Sequence, residues 1–178
     1  MIAHLFGVTV IALTFAASAV SKLRDRGGFV QSIRAFQVLP ERLTGATAIA
    51  LTSAEVAVVG LLTLALLPVF SPFVPYVLGI AAVLLVAYTA GLVSVRARGL
   101  HVPCHCFGAS PVPVSWFDIA RNVLLLGIAG LALAAGTPAD PLAGVDAVLV
   151  ALAGAATTLV VTNLANVVHT VVTAAGTD

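Results

Sequence analysis

The stretch FVPYVLGIAAVLLVAYTAGLVSV, residues 73–95, carries no charged side chain from end to end. An α-helix rises about 1.5 Å per residue, so roughly 20 apolar residues cross a hydrocarbon core about 30 Å thick. Inside that core the backbone polar groups must be satisfied within the segment, which favours a helix over other structures. The stretch is therefore predicted to be a membrane-spanning helix.

Four further apolar runs of similar length flank this one. The predicted spans are residues 2–20, 43–67, 73–95, 116–135 and 145–172. No internal repeat or low-complexity linker separates them, so we expect one domain over residues 1–178. The predicted fold is all-α, a polytopic membrane bundle of about five transmembrane helices.

The composition excludes most soluble classes of protein. The 178 residues are 61% hydrophobic and 8% charged, whereas soluble domains have about 45–50% apolar and about 25% charged residues. Eight basic and seven acidic side chains cannot coat a water-soluble globule, and a net charge of +1 gives no field that attracts nucleic acid. A soluble enzyme, a nucleic-acid binder and a disordered tail are excluded. The expected surrounding is the lipid bilayer.

The connection between the first two spans has an apolar spacing of its own. Phe29, Ile33 and Phe36 recur at helical intervals, with Val30 beside them and Gln31, Ser32 and Arg34 elsewhere on the wheel. Two interpretations stay open for this segment. It forms either a short amphipathic helix in the headgroup plane or an irregular loop.

Positive charges are distributed unevenly among the connections. Those flanking the first and third connections are Lys22, Arg24, Arg26, Arg34, Arg42, Arg96, Arg98 and Arg121, and the other two connections have none. By the positive-inside rule, the two basic connections face the cytoplasm. We therefore expect a multi-pass protein of the inner (plasma) membrane with its N-terminus outside.

The third connection carries the side chains best suited to redox chemistry or metal binding. It contains HVPCHCFGASPVPVSW, residues 101–116, and with it both cysteines of the chain. In one interpretation Cys104 and Cys106 form a redox-active pair, and His105 favours the thiolate that attacks a disulfide. One intervening residue makes the closed ring tight, and strain makes a disulfide easier to reduce.

Two other interpretations of this segment stay open. His101, Cys104, His105 and Cys106 offer the soft and borderline ligands that copper(I) and zinc prefer. Alternatively, the two cysteines merely pack as small apolar side chains. A non-catalytic assembly factor, whose pathway would stay intact without the two cysteines, is a further alternative.

Several ionisable side chains lie within the predicted spans. Glu55 is near the middle of the second span, where a carboxylate is costly unless it faces the bundle interior. Asp118, Arg121 and Asn122 follow one another at helical spacing just inside the fourth span, on one face. Two interpretations stay open for these three residues: an ion pair at the membrane interface that anchors the end of the helix, or a polar floor beneath the cysteine-bearing connection.

These residues resemble the MauE family of methylamine utilisation proteins. The resemblance lies in Cys-x-Cys-Phe-Gly, followed by a tryptophan and an Arg-Asn pair, at residues 104–108, 116, 121 and 122. The stretch SAVSKLRD, residues 18–25, and Glu55 followed by Gly60 resemble the broader DoxX-like group, which adds Lys22 and Arg24 to the supporting polar residues. His105 departs from the pattern, since a small residue such as glycine is expected there.

The resemblance implies a membrane component of methylamine metabolism. The family is associated with maturation or export of the disulfide-rich small subunit of methylamine dehydrogenase. The resemblance therefore implies thiol–disulfide exchange through Cys104 and Cys106. The supporting polar residues would be Lys22, Arg24, Glu55, Asp118, Arg121 and Asn122. A DoxX-like four-helix core also resembles the vitamin K epoxide reductase and DsbB type of bundle, an analogy of architecture that admits a quinone as cofactor.

Two consequences of the resemblance concern partners and orientation. The chain has one thiol pair, so its electrons would pass to a thioredoxin-like protein, a disulfide-containing partner or a quinone. Disulfides of exported proteins form outside the cytoplasm, yet the charge count places Cys104 and Cys106 inside. Either the thiols act on the cytoplasmic face, or some basic residues serve a site and the orientation is inverted.

Overall fold

The computed structural model describes residues 1–65, 68–100, 102, 113–137 and 144–175. In these ranges the chain is helical and has no β-strand. The helices are α1 (Ile2–Arg24), α2 (Arg26–Ala35), α3 (Glu41–Leu64), α4 (Val74–Ala97), α5 (Trp116–Ala134) and α6 (Gly144–Ala175), and a 3₁₀ helix (Pro68–Phe73) precedes α4.

The prediction of an all-α, multi-pass membrane protein is confirmed. Five helices, α1, α3, α4, α5 and α6, are long and apolar enough to cross a membrane. The main difference in bounds is at the end of α1, which continues to Arg24 rather than ending at residue 20. Lys22 is tolerated inside this helix because it is buried against an opposite charge.

Helix α1 lies at the centre of the bundle. It packs against α3, α5 and α6, and half of its apolar window is buried, compared with 17% for α6. Val10 and Ile11 of α1, Leu78 of α4 and Leu125 of α5 are fully buried in the main hydrophobic core. Large apolar side chains on the outer faces are exposed, as expected where a helix bundle meets lipid.

A small residue sets the distance between α1 and α5. A Cβ atom at Gly7 would lie 2.6 Å from the Cβ of Ala132, so the two helices are close enough to exclude any side chain there. In the same place Nδ1 of His4 donates a hydrogen bond of 3.1 Å to the carbonyl of Ala132. Close packing and a buried hydrogen bond therefore fix this end of α1 against α5.

The segment after α1 forms a helix, the first of the two interpretations of its sequence. The Asp25 carboxylate accepts a hydrogen bond of 2.9 Å from the backbone N–H of Gly28 and caps the start of α2. Phe29 is buried, as its apolar spacing predicts. Ser32 is also buried, although the pattern placed it on the polar side, because α2 packs against α3 and a wider face is covered.

Candidate functional site

Glu55 is the centre of a group of polar side chains inside the bundle. It lies in α3 and is 0% exposed. Helix α1 supplies Ser18 and Lys22, one turn apart, and α4 supplies Tyr88. These four residues, Ser18, Lys22, Glu55 and Tyr88, are called the ion-pair cluster below.

All three ammonium hydrogens of Lys22 are donated within the ion-pair cluster. One goes to Ser18 Oγ at 2.9 Å, one to the Tyr88 oxygen at 3.1 Å, and one to Glu55 Oε1. The same Oε1 accepts hydrogen bonds from the Ser18 hydroxyl at 3.1 Å and the Tyr88 hydroxyl at 2.6 Å. One carboxylate oxygen of Glu55 therefore has three donors around it.

The ion-pair cluster has no net charge when both members of the pair are ionised. Lys22 is 1% exposed, and its Nζ lies 4.8 Å from the ring centroid of Phe29 and 4.6 Å from that of Tyr88. Both distances are within the range of cation–π attraction. The opposite charge and the two rings together replace the water that a buried ammonium loses.

A second polar group fixes the start of α5. The Asp118 carboxylate accepts hydrogen bonds of 2.9 Å from both the backbone N–H and the hydroxyl of Ser115, which caps the helix. Arg121 Nη2 lies 3.5 Å from Asp118 Oδ1, and Arg121 and Asn122 are both buried. We call Ser115, Asp118, Arg121 and Asn122 the α5 group.

A small cavity connects the ion-pair cluster with the α5 group. Its volume is about 20 Å³, and its polar lining consists of Thr14, Ser18, Glu55, Tyr88, Arg121 and Asn122. Helices α1, α3, α4 and α5 each contribute to this lining. The cavity therefore brings together ionisable groups from two polar regions that are far apart in sequence.

A larger groove lies on the α2 side of Lys22. Its volume is about 220 Å³, and it runs between α1, α2 and α3. Its lining includes Lys22, Arg26, Phe29, Ile49, Thr52 and Ser53. Lys22 thus lines the groove while its ammonium is bonded to Glu55.

The cysteine-bearing connection is held at both of its ends. The backbone N–H of Val114 donates a hydrogen bond of 3.0 Å to the carbonyl of Val102. Both residues belong to a second hydrophobic cluster with Leu92 and Val95 of α4 and Ile119 of α5. The residues that flank positions 103–112 are therefore neighbours, at the end of α4 and the start of α5.

The predicted thiol and metal residues lie outside the described part of the chain. These are His101, Cys104, His105 and Cys106. Among the described residues, no group of three histidine, cysteine, aspartate or glutamate side chains is arranged to hold a metal ion.

Four of the predicted supporting residues meet at one place. Lys22 and Glu55 form the buried pair, and Arg121 and Asn122 line the cavity beside it. Asp118 reaches this group through its contact with Arg121. Arg24 is exposed in the last turn of α1, outside the ion-pair cluster and the cavity lining.

Sequence reasoning missed two members of the ion-pair cluster, Tyr88 and Ser18. A signal for Tyr88 was present, since a tyrosine in the middle of an apolar run needs a partner for its hydroxyl. Ser18 begins the resembling stretch SAVSKLRD, but its side chain gave no signal of a partner in another helix, because a serine in a helix can bond to its own backbone. Only the antiparallel packing of α1 on α3 places Ser18 beside Glu55.

Together, the fold and this site define a multi-pass membrane protein whose spanning helices enclose an ion pair. The sequence model of one family, described as methylamine utilisation protein MauE, matches residues 1–135. The chain belongs to the MauE family.

One curated relative and the solved structures complete the comparison. The chain is 38% identical over 131 residues to the methylamine utilization protein MauE of Paracoccus denitrificans. The aligned region covers 72% of this chain and 67% of the relative. No solved structure matches the chain significantly. The family match includes the ion-pair cluster, the α5 group and the cysteine-bearing connection, and ends before α6.

Proposed function

We propose that this protein serves methylamine utilisation by thiol–disulfide exchange through Cys104 and Cys106. Its substrate would be a disulfide-containing partner protein, an amine dehydrogenase small subunit or a similar one. One observation carries the proposal: the two cysteines of the chain, one residue apart, lie in a connection whose ends α4 and α5 hold together. Family membership supplies the metabolic setting.

The exchange proceeds in two steps that conserve atoms and electrons. The thiolate of one cysteine attacks a disulfide sulfur of the partner, which forms a mixed disulfide and releases one partner thiolate. The second cysteine attacks the mixed disulfide and releases the other thiolate. The Cys104–Cys106 disulfide forms, the partner gains two electrons, and the two protons lost by the cysteines pass to the partner thiolates. The reverse sequence oxidises the partner.

His105 and the α5 group would assist this chemistry. A histidine between the two cysteines favours the thiolate, which is the attacking form. The contacts of Asp118 with Ser115 and Arg121 fix the first turn of α5, where the cysteine-bearing connection ends. With one thiol pair in the chain, a thioredoxin-like protein or a membrane quinone would renew its redox state.

The test is a count of free thiols on the purified, lipid-reconstituted protein. After treatment with oxidised glutathione, a maleimide that adds mass should find no free thiol on the monomer, and two after reduction. Cys106→Ser cannot close the ring and should instead accumulate a glutathione adduct on Cys104. Two thiols that remain alkylatable after oxidation would refute the proposal.

The same preparation distinguishes thiol exchange from metal handling. Elemental analysis should find no stoichiometric copper or zinc in the protein as purified. One metal ion per chain that is lost in Cys106→Ser would assign His101, Cys104, His105 and Cys106 to metal binding instead.

A further inference from the structure

The groove between α1, α2 and α3 has a basic part and an apolar part. Arg26, which begins α2 and is exposed, forms the basic part. Leu23 of α1 and Ile49 of α3 form apolar walls, and they are 44% and 71% exposed. Since both walls belong to spanning helices and are largely uncovered by the rest of the chain, the groove faces the surrounding lipid.

The charge of Arg26 is not neutralised within the groove. Two basic side chains line the groove, and no carboxylate does. Lys22 is paired with Glu55, whereas Arg26 forms no ion pair with any residue that the structure describes. Its neighbour Asp25 accepts a hydrogen bond from the backbone N–H of Gly28 and caps α2. Arg26 therefore complements the charge of an anionic ligand.

The apolar walls continue from the groove toward the membrane interior. In α1, Val20 precedes Leu23 by one turn and is 46% exposed. In α3, Val56 follows Ile49 by two turns and is 47% exposed. In the opposite direction Arg42, which is exposed in the first turn of α3, precedes Ile49 by two turns and lies on the same helix face. The surface thus changes from basic to apolar in the order of a phospholipid head group and its chains.

We propose that this groove binds one anionic phospholipid of the bilayer, with the phosphate at Arg26 and one acyl chain between Leu23 and Ile49. An arginine guanidinium matches the geometry of phosphate oxygens, and basic residues at the membrane surface attract anionic lipids. The groove volume of about 220 Å³ is below the roughly 300–1,000 Å³ of a pocket for a drug-sized ligand. It therefore holds part of one chain, while the rest of the lipid stays in the bilayer.

The bound chain would lie beside the ion-pair cluster. Because Lys22 lines the groove, an acyl chain there keeps water from the α2 side of the pair with Glu55. The binding involves neither cysteine. A Cys104→Ser/Cys106→Ser variant should therefore bind the lipid as the wild type does, which separates this site from the proposed thiol chemistry.

Native mass spectrometry of the full chain, released from detergent micelles, measures the binding. The protein is titrated with phosphatidylglycerol or with phosphatidylcholine that has the same acyl chains. The first phosphatidylglycerol should bind at least about fivefold more tightly than the first phosphatidylcholine, as expected for one basic residue at a membrane surface. Glycerol 1-phosphate, which has no acyl chain, should not compete at the same concentration, because the apolar walls contribute to the affinity.

Two pairs of variants assign the binding to the groove. Arg26→Gln should weaken phosphatidylglycerol binding by about fivefold and leave phosphatidylcholine binding unchanged. Arg96→Gln removes an exposed arginine at the same end of the bundle, in α4, and should change neither. Ile49→Trp fills the groove and should also weaken phosphatidylglycerol binding, whereas Ile80→Trp, at an exposed isoleucine of α4, should not.

Three results would overturn the proposal. They are equal affinity of the wild type for the two lipids, an Arg26→Gln variant that binds phosphatidylglycerol like the wild type, and photolabelling at the wrong place. In nanodiscs, phosphatidylglycerol with a photoreactive acyl chain should label the wild type within residues 20–30 and 48–56, and labelling confined to other segments would refute the site. The photolabelling needs no substitution, so it decides the question even if Ile49→Trp does not fold.

Discussion

Lys22 and Glu55 stabilise the bundle only as a pair. Each is almost completely buried, and each supplies the charge that offsets the desolvation of the other. The hydroxyls of Ser18 and Tyr88 complete the arrangement by bonding to both charges. Removing one charge leaves the other uncompensated in a medium with little water.

Replacement of Lys22 alone should therefore be severely destabilising. We predict that Lys22→Met lowers the free energy of unfolding by about 3–5 kcal/mol, measured by denaturant titration in detergent micelles. Arg24→Met, two positions along the same helix and exposed, is the control and should change it by less than about 0.5 kcal/mol.

The double variant Lys22→Met/Glu55→Leu separates the charge from the packing. Because neither charge is left unpaired, it should recover much of the stability lost by Lys22→Met. The contrary result is a loss in the free energy of unfolding of the double variant that equals the sum of the losses of Lys22→Met and Glu55→Leu. Such additivity would mean that the two residues do not act as a pair.

At the scale of helices, the packing of α1 on α5 depends on the absence of a side chain at Gly7. Alanine normally stabilises a helix relative to glycine by about 0.5–1 kcal/mol. At Gly7 the new methyl group would meet the Cβ of Ala132 at 2.6 Å, so the helices would have to separate.

Two glycine substitutions of the same kind should thus have opposite effects. Gly7→Ala should destabilise the protein by about 1–3 kcal/mol through overpacking. Gly127→Ala in α5, where a Cβ would meet nothing within 4 Å, should be neutral or slightly stabilising. Thermal unfolding of the two variants side by side measures the difference, and equal effects would show that close packing at Gly7 is unimportant.

The spanning helices could be predicted because length and apolarity alone decide whether a segment crosses a bilayer. The end of α1 could not, since the string KLRDR is typical of an exit from the membrane. Lys22 stays inside because Glu55 lies beside it, 33 positions away in sequence. An ion pair between two helices cannot be predicted from the residue pattern of either helix alone.

The residues of the site could also be predicted only in part from the sequence. The cost of a carboxylate in a span identified Glu55, and helical spacing brought Asp118, Arg121 and Asn122 to one face. That these two groups share a cavity depends on which helices are neighbours, and the sequence alone does not determine this.

At the scale of the whole molecule, the basic residues still favour one orientation. Lys22 and Arg121 are buried in ion pairs, so they carry less weight in a topology argument. The other six basic residues, Arg24, Arg26, Arg34, Arg42, Arg96 and Arg98, are exposed and lie at the connections of the cysteine-bearing end. We therefore predict that this end faces the cytoplasm.

Thiol labelling of whole cells tests the orientation. A membrane-impermeant maleimide should leave Cys104 and Cys106 unlabelled until the inner membrane is permeabilised. In a Cys104→Ser/Cys106→Ser background, Thr137→Cys places a thiol after α5, at the opposite end, and should be labelled in intact cells. The reverse pattern would mean that the bundle is inverted and that the thiols meet exported proteins directly.

The central claim is that this membrane bundle works through its two cysteines. The most direct measurement is growth on methylamine of a strain that lacks its own copy of the gene and is complemented with the wild type or with Cys104→Ser/Cys106→Ser, each at the same level in the membrane. The account predicts that the double variant grows no better than the uncomplemented strain and fails to accumulate the mature disulfide-containing partner. Growth equal to that of the wild type would contradict it.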